Sequence, residues 1–287
     1  MKQPMTLPRL KTLKAQGTPI AMLTAYDFPT AQLAEEAGVD IILVGDSLGN
    51  VVLGYDTTVP VTLDDMIHHT RAVVRGAPGT MVVTDMPFAT YRLGPEATLR
   101  NAARIMQEGG AHAVKLEGGA ELAEEVKRLT SAGIPVLAHL GLTPQSVLQI
   151  GGYKVQGKQE KEAEKLLEDA KALEQAGAFG VVLELVTEPV AAAVTRSVQI
   201  PTIGIGAGRG CDGQVLVFHD LIQYGSGIRA KRFVKTYADI GATIRTAISE
   251  YVEDVKKRSF PEERHAFAAD EGKAPEATER LYGGEAK

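Results

Sequence analysis

Short runs of Ile, Val, Leu and Met recur along the chain, each a few residues long and each broken by a glycine, a proline or a charged residue. Runs of that length and β-branched content predict strands buried on both faces, as in a parallel sheet. They fall at 20–25, 41–44, 81–84, 112–116, 135–138, 179–183, 202–205 and 215–218. Between them lie stretches with apolar residues at helical spacing, such as 30–37, 95–107 with Pro95 in its first turn, and the charged segment 160–175 before Gly177. A further helix is predicted over 5–16, with Leu7, Leu10 and Leu13 set against Lys11 and Lys14 and with Gly17 as its stop. The β-then-α rhythm and the eight strands predict a (β/α)8 barrel, a fold of ~250 residues. A doubly wound open sheet is the rival, because counting strands does not show closure. From 261 the composition turns polar and rich in Glu, Ala and Gly. The expected organisation is one barrel domain over 1–260, including the N-terminal helix, and a poorly ordered tail over 261–287.

The bulk properties change this picture little. With 44% hydrophobic and 23% charged residues, the 287-residue chain has the make-up of a globular protein with a sizeable core. A net charge of −5 with scattered Lys and Arg argues against a nucleic-acid surface. The single cysteine, Cys211, excludes an internal disulfide and fits a reducing compartment. The N-terminus has no apolar run of the signal-peptide kind, and no stretch approaches the ~20 apolar residues of a membrane helix. The expected location is the cytoplasm, with no membrane partner.

The candidate chemistry lies where the strands end. Ile41 to Val44 break at Gly45 into Asp46 and Ser47, and the later strand exits carry Asp85, Lys115 with Glu117, His139 and Glu184. In parallel α/β folds ligands sit at the carboxyl ends of the strands, so in a barrel these residues converge on one mouth. Several carboxylates suit a hard cation such as Mg²⁺. The lack of a cysteine cluster or of paired helical histidines argues against zinc. Structural readings stand beside these. Asp46 fits an N-cap or a turn, Lys115 and Glu117 a structural ion pair, and His139 a core histidine bonded to a backbone carbonyl. Glu184 after Val181, Val182 and Leu183 is harder to assign to structure, because burying an unpaired acid is costly.

Two glycine motifs fall short of their templates. Gly152 to Lys158 has the P-loop spacing, but Gln159 stands where a Ser or Thr should be. Gly208 to Gly213 fits G-x-G-x-x-G without a Rossmann unit around it. Both are expected to be loops on the barrel mouth.

Longer motifs carry a family resemblance. They include Met22-Leu23-Thr24-Ala25-Tyr26-Asp27, Val44-Gly45-Asp46-Ser47-Leu48-Gly49, Asp85-Met86-Pro87-Phe88, Lys115-Leu116-Glu117-Gly118-Gly119, His139-Leu140-Gly141-Leu142-Thr143-Pro144-Gln145-Ser146, and Asp212-Gly213-Gln214-Val215-Leu216-Val217-Phe218-His219-Asp220. Over roughly residues 5–265 the chain resembles the ketopantoate hydroxymethyltransferase family of pantothenate biosynthesis. The resemblance implies a barrel of the phosphoenolpyruvate/pyruvate type, dependence on Mg²⁺, and a homo-oligomer, typically a decamer. It implies that Asp46 and Asp85 bind the metal directly, with Glu117 in or just beyond its coordination shell. Asp46, Ser47, Asp85 and Lys115 would hold the 2-oxo acid, and Glu184 would be the base. The implied reaction passes a hydroxymethyl group from 5,10-methylenetetrahydrofolate to 3-methyl-2-oxobutanoate through a Mg²⁺-stabilised enolate, giving 2-dehydropantoate. The stretches 187–189 and 223–225 depart from the family pattern at the rim.

A Mg²⁺-dependent carbon–carbon lyase or phosphonomutase on the same barrel is the enzymatic alternative. A cysteine in an active-site loop would point that way, and the chain offers only Cys211. A catalytically silent barrel is the alternative of another class. It would be marked by a missing strand-end acid, and none is missing.

Overall fold

The computed structural model describes residues 5–225 and 231–267. Eight strands form β1 (Ile20–Thr24), β2 (Ile41–Val44), β3 (Met81–Asp85), β4 (Ala113–Glu117), β5 (Val136–Gly141), β6 (Gly180–Glu184), β7 (Thr202–Ile205) and β8 (Gly213–Leu216). Every neighbouring pair is parallel, and β1 pairs with both β2 and β8, so the sheet closes into a barrel. Closure excludes the open doubly wound sheet.

Alternation along the strands separates two environments. Ile41, Leu43, Met81, Val83, Ala113, Leu137, Val182 and Val215 belong to one buried cluster that fills the barrel. Val114, Leu116, Val136, Ala138, Leu140 and Val181 belong to another, shared with the surrounding helices. Inward positions therefore start apolar and become polar toward the strand ends: Val83 is followed two residues on by Asp85, Ala113 by Lys115 and Glu117, Leu137 by His139, Val182 by Glu184. The register makes cross-strand neighbours of Asp85 and Lys115, and of Glu117 and His139.

The other end of the barrel is stoppered. The helix Leu7–Gln16 begins at Thr6, whose hydroxyl accepts from Arg9 N, and ends at Gly17 in the left-handed region (φ 65°). Leu10 and Met5 pack in the interior cluster with Ile20 and Phe179, and Leu7 and Leu13 pack against it. The first predicted helix thus has a structural task, closing the base and leaving the opposite mouth open.

Several strand bounds shift by a residue, β5 runs on to Gly141 beyond its expected end at 138, and two places differ in kind. Val215–Phe218 was the expected last strand, but β8 starts at Gly213 and Phe218 opens a short helix, Phe218–Ile222. The glycine motif 208–213, expected on the mouth, belongs instead to the return that leaves β7 at the mouth and reaches the base, where Gly213 pairs with Ile20. That return replaces the helix that a β/α repeat would place there. Gly206 and Gly208 take positive φ of 64° and 76°, a turn other residues adopt with strain. Asp212 fixes the base end: its Oδ2 accepts from Thr202 N at 2.8 Å and from Lys14 Nζ at 2.8 Å.

The chain divides into two compact units, Met1–Ala238 and Asp239–Lys287. The second consists, over its described residues, of the helix Ile240–Lys257 and a turn at Glu263–His265. Asp239 caps the helix, its Oδ1 accepting from Ala242 N at 2.9 Å. Beyond residue 267 the expected tail lies outside the described residues.

Candidate active site

Asp46, Ser47, Asp85, Lys115, Glu117, His139 and Glu184 all line one cavity of about 130 Å³ at the mouth. Every sequence-predicted site residue is brought together there. The apolar part of the wall is Leu43, Val182, Ile205 and Val215, with Phe233.

The acids form the core of the site. One carboxylate oxygen from each of Asp46, Asp85 and Glu117 lies within 4.8 Å of the others. Asp46 is more than a strand-end turn residue: the residue is 3% exposed and its carboxylate accepts from Gln145 Nε2 at 2.8 Å. Its backbone N donates to Asp85 Oδ2 at 3.0 Å. Asp85 Oδ1 lies 3.1 Å from Lys115 Nζ as an ion pair but, among the described residues, makes no hydrogen bond. Glu117 Oε2 accepts from Gln145 N at 3.1 Å, and Oε1 lies 3.5 Å from Lys115 Nζ. Lys115 therefore serves two acids, as well as Nδ1 of His139 at 3.0 Å.

Burial and crowding set the charges. Burial raises the pKa of Asp46, and the nearby Glu117 and Asp85 carboxylates raise it further. Burial also raises Asp85, although Lys115 beside it pulls the other way. Burial alone would raise Glu117 too, but Lys115 and His139 outweigh it and hold this carboxyl at about 2. Burial opposes the Lys115 charge, yet Asp85, Glu117 and Asp46 more than restore it and raise its pKa.

Among the described residues His139 bonds to no backbone carbonyl, and its contacts are with charged site groups instead, so the core-histidine reading fails. Nδ1 is 3.0 Å from Lys115 Nζ and 3.3 Å from Glu117 Oε1, while Nε2 is 3.4 Å from Glu184 Oε2. Burial and Lys115 lower the ring's proton affinity, whereas Glu117 and Glu184 raise it, and the net direction is upward. The two demands on Nδ1 conflict. An ammonium only donates, so the 3.0 Å contact fits a bare Nδ1, whereas the upward shift favours a ring protonated on both nitrogens with Nδ1 facing Glu117; in either state Nε2 carries a proton toward Glu184. Nε2 is buried without a hydrogen bond at that distance. Glu184 itself keeps 16% of its side chain exposed, toward the mouth.

Local backbone places Glu184. Gly141 at the end of β5 has φ 93°, and a Cβ there would meet Glu184 O at 2.3 Å. Glycine lets the two strand ends approach at this point. Ser47 Oγ is 2.8 Å from the Tyr26 hydroxyl, which ties the exit of β2 to that of β1. Asp220 and Lys231, an ion pair at 2.6 Å on the same cavity, escaped sequence reasoning, and so did Tyr26 and Gln145. The latter two stand inside the quoted motifs, but neither sits at an inward strand position, the only signal used there. Cys211 does not line the mouth cavity; it belongs to the β7–β8 return.

A closed parallel barrel with buried carboxylates at the carboxyl ends of its strands has the architecture of a (β/α)8 enzyme with its site at the mouth. Solved structures agree on the fold. Phosphoenolpyruvate phosphomutase from Streptomyces platensis subsp. rosaceus superposes with a TM-score of 0.57 at 17% identity, covering 88% of each chain. 2,3-Dimethylmalate lyase, of the PEP mutase/isocitrate lyase superfamily, superposes with a TM-score of 0.54 at 18% identity, covering 96% of this chain and 93% of that one. The family model for ketopantoate hydroxymethyltransferase matches residues 4–263. Curated proteins named 3-methyl-2-oxobutanoate hydroxymethyltransferase match along almost the whole length. The one from Carboxydothermus hydrogenoformans is 57% identical, covering 96% of this chain and 99% of its own. The one from Geobacillus kaustophilus is 60% identical, covering 95% and 96%. The chain belongs to the ketopantoate hydroxymethyltransferase family, a family of transferases.

Proposed function

We propose that this enzyme transfers a hydroxymethyl group to 3-methyl-2-oxobutanoate, taking the one-carbon unit from 5,10-methylenetetrahydrofolate and giving 2-dehydropantoate and tetrahydrofolate, with water supplying the hydroxyl oxygen. The observation that carries this reading is the meeting of three carboxylates, Lys115 and Glu184 in one small cavity with an apolar wall. Family membership supplies the reaction class.

The acid cluster suits Mg²⁺ in its chemistry. Its donors are carboxylate oxygens, which hard cations prefer, and Asp85 Oδ1 is a buried oxygen that, among the described residues, takes no hydrogen bond and meets only the Lys115 ammonium at 3.1 Å. Asp46 and Asp85 would hold the ion, with Glu117 in or just beyond its coordination shell. Bound there, Mg²⁺ would supply Lewis-acid polarisation of the substrate's keto group.

The chain's own groups do the rest. Lys115 offsets the acids and attracts the substrate carboxylate, and Ser47 Oγ offers a hydrogen bond beside it. The apolar wall of Leu43, Val182, Ile205 and Val215 takes the isopropyl end, which orients C3 toward the rim. Glu184 removes the C3 proton, and His139, with its Nε2 proton facing Glu184, steadies that carboxylate between turnovers. The resulting enolate carbon bonds to the one-carbon unit, whose two C–N bonds to the folate break as water supplies the hydroxyl oxygen, so that tetrahydrofolate leaves and C3 carries the new CH₂OH group. The homo-oligomer and its decameric size remain part of this reading, checked by the mass of the particle in solution. The direct test is product formation from the 2-oxo acid, Mg²⁺ and methylenetetrahydrofolate. Turnover of the three together supports the reading, and no 2-dehydropantoate from pure, folded protein would overturn it.

A further inference from the structure

Gln145 touches the acid cluster twice. It lies beyond β5 in the turn Pro144–Ser146 and is 4% exposed. Its side-chain Nε2 donates to Asp46 Oδ2 at 2.8 Å and to Met86 O at 3.0 Å. Its backbone N donates to Glu117 Oε2 at 3.1 Å. Its Oε1 accepts from the Tyr91 hydroxyl at 2.6 Å. That hydroxyl has one proton to give, and its other contact, Glu117 O, is longer at 3.2 Å. Glu117 O is served instead by Arg92 Nη2 at 2.8 Å. Both amide protons of Gln145 are therefore committed and its oxygen is fixed. Turning the amide over would set its oxygen against the Asp46 carboxylate and its NH₂ against the Tyr91 hydroxyl.

The consequence for the acids is a division of labour between their oxygens. Asp46 Oδ2 and Glu117 Oε2 are held by Gln145, and Asp85 Oδ2 is held by the backbone N of Asp46 at 3.0 Å. Asp46 Oδ1 is not the oxygen that Gln145 holds, and Asp85 Oδ1, with no hydrogen bond among the described residues, meets only the Lys115 ammonium at 3.1 Å. Those two oxygens are the ones left for a cation.

We propose that Gln145 is a positioning residue for the divalent cation: it pins one oxygen each of Asp46 and Glu117, and Tyr91 fixes the direction of its amide. This rests on reading the acid cluster as the Mg²⁺ site. Partners that hydrogen-bond a metal-binding carboxylate set its orientation, and losing one lowers metal affinity by ~10–100-fold. A residue that only fills space would not do this.

The test is calorimetric titration of the full chain with Mg²⁺ or Mn²⁺ alone, on wild type, Gln145→Met, Tyr91→Phe and Asp46→Asn. Gln145→Met keeps the volume but removes the amide, and its cation affinity should fall ~10–100-fold. Tyr91→Phe should weaken binding by a smaller factor, because the amide stays but loses what directs it. In turnover assays Gln145→Met should raise the cation concentration needed for half-maximal rate far more than it lowers kcat at saturating cation. Wild-type affinity in folded Gln145→Met, with Asp46→Asn impaired, overturns the inference and leaves the cation site standing. Wild-type affinity in Asp46→Asn removes the cation site and the inference with it. If Gln145→Met does not fold, Tyr91→Phe decides: weakened binding supports the proposal, and unchanged binding overturns it.

Discussion

Three buried carboxylates, Asp46, Asp85 and Glu117, cluster with one buried lysine, Lys115, and at neutral pH the charges of that cluster do not balance. Asp46 bears much of the strain, since burial, Glu117 and Asp85 all disfavour its anion in the folded state. A carboxylate with a raised folded pKa penalises the fold above that value and not below its unfolded value of about 3.9. In cation-free protein, Asp46→Asn should therefore raise Tm at neutral pH, and the gain should shrink as pH falls. Added Mg²⁺ should raise the wild-type Tm and leave that of Asp46→Asn nearly unmoved. A lower cation-free Tm for the variant at pH 7 would contradict this account. Glu117 behaves oppositely: its pKa of about 2 means its contribution to stability is present above the unfolded value and is lost in strong acid. Asp85→Ala should abolish detectable turnover and keep a native circular dichroism spectrum; near-normal activity at limiting Mg²⁺ would remove Asp85 from the site. Lys115 is expected to act by charge alone, so borohydride reduction with substrate present should leave its mass unchanged. These acids and the lysine were legible in the sequence because each stands at the end of an apolar run. Gln145 was not, because its position depends on how the loop after β5 folds back.

At the scale of elements, the β7–β8 return shows where sequence pattern runs out. A glycine-rich segment beside a strand has the same appearance whether it rims the mouth or descends to the base. What decides is Asp212, whose contacts with Thr202 and Lys14 fasten it near the start of β7 and the basal helix. Asp212→Ala leaves Thr202 N without its acceptor and should lower stability by about 1–3 kcal/mol. Thermal unfolding should show the loss, and kcat/KM at permissive temperature should stay close to wild type, since this anchor is far from the mouth. A collapse of kcat/KM with unchanged Tm would place the segment at the site after all. Gly141 gives the opposite pattern. Gly141→Ala adds a Cβ 2.3 Å from Glu184 O at a positive φ, so it should reduce both stability and turnover.

On the scale of the whole molecule, the strand rhythm predicted the barrel and the structure closes it. Closure brings Asp46, from the exit of β2, and Glu184, from the end of β6, onto one cavity although the chain between them is long. Strand order was legible because buried parallel strands are short apolar runs; closure itself was not, since it depends on β8 pairing with β1. In the proposed reaction proton removal and carbon transfer are separable steps, the first needing only the barrel's own groups and the cation. The most direct measurement is exchange of the C3 proton of 3-methyl-2-oxobutanoate with deuterated water, followed by NMR with Mg²⁺ present and no folate. Wild type should exchange it, and Glu184→Gln should exchange it ~10²-fold or more slowly while binding Mg²⁺ normally. Exchange by Glu184→Gln at the wild-type rate, or none by the wild type without folate, would contradict the account.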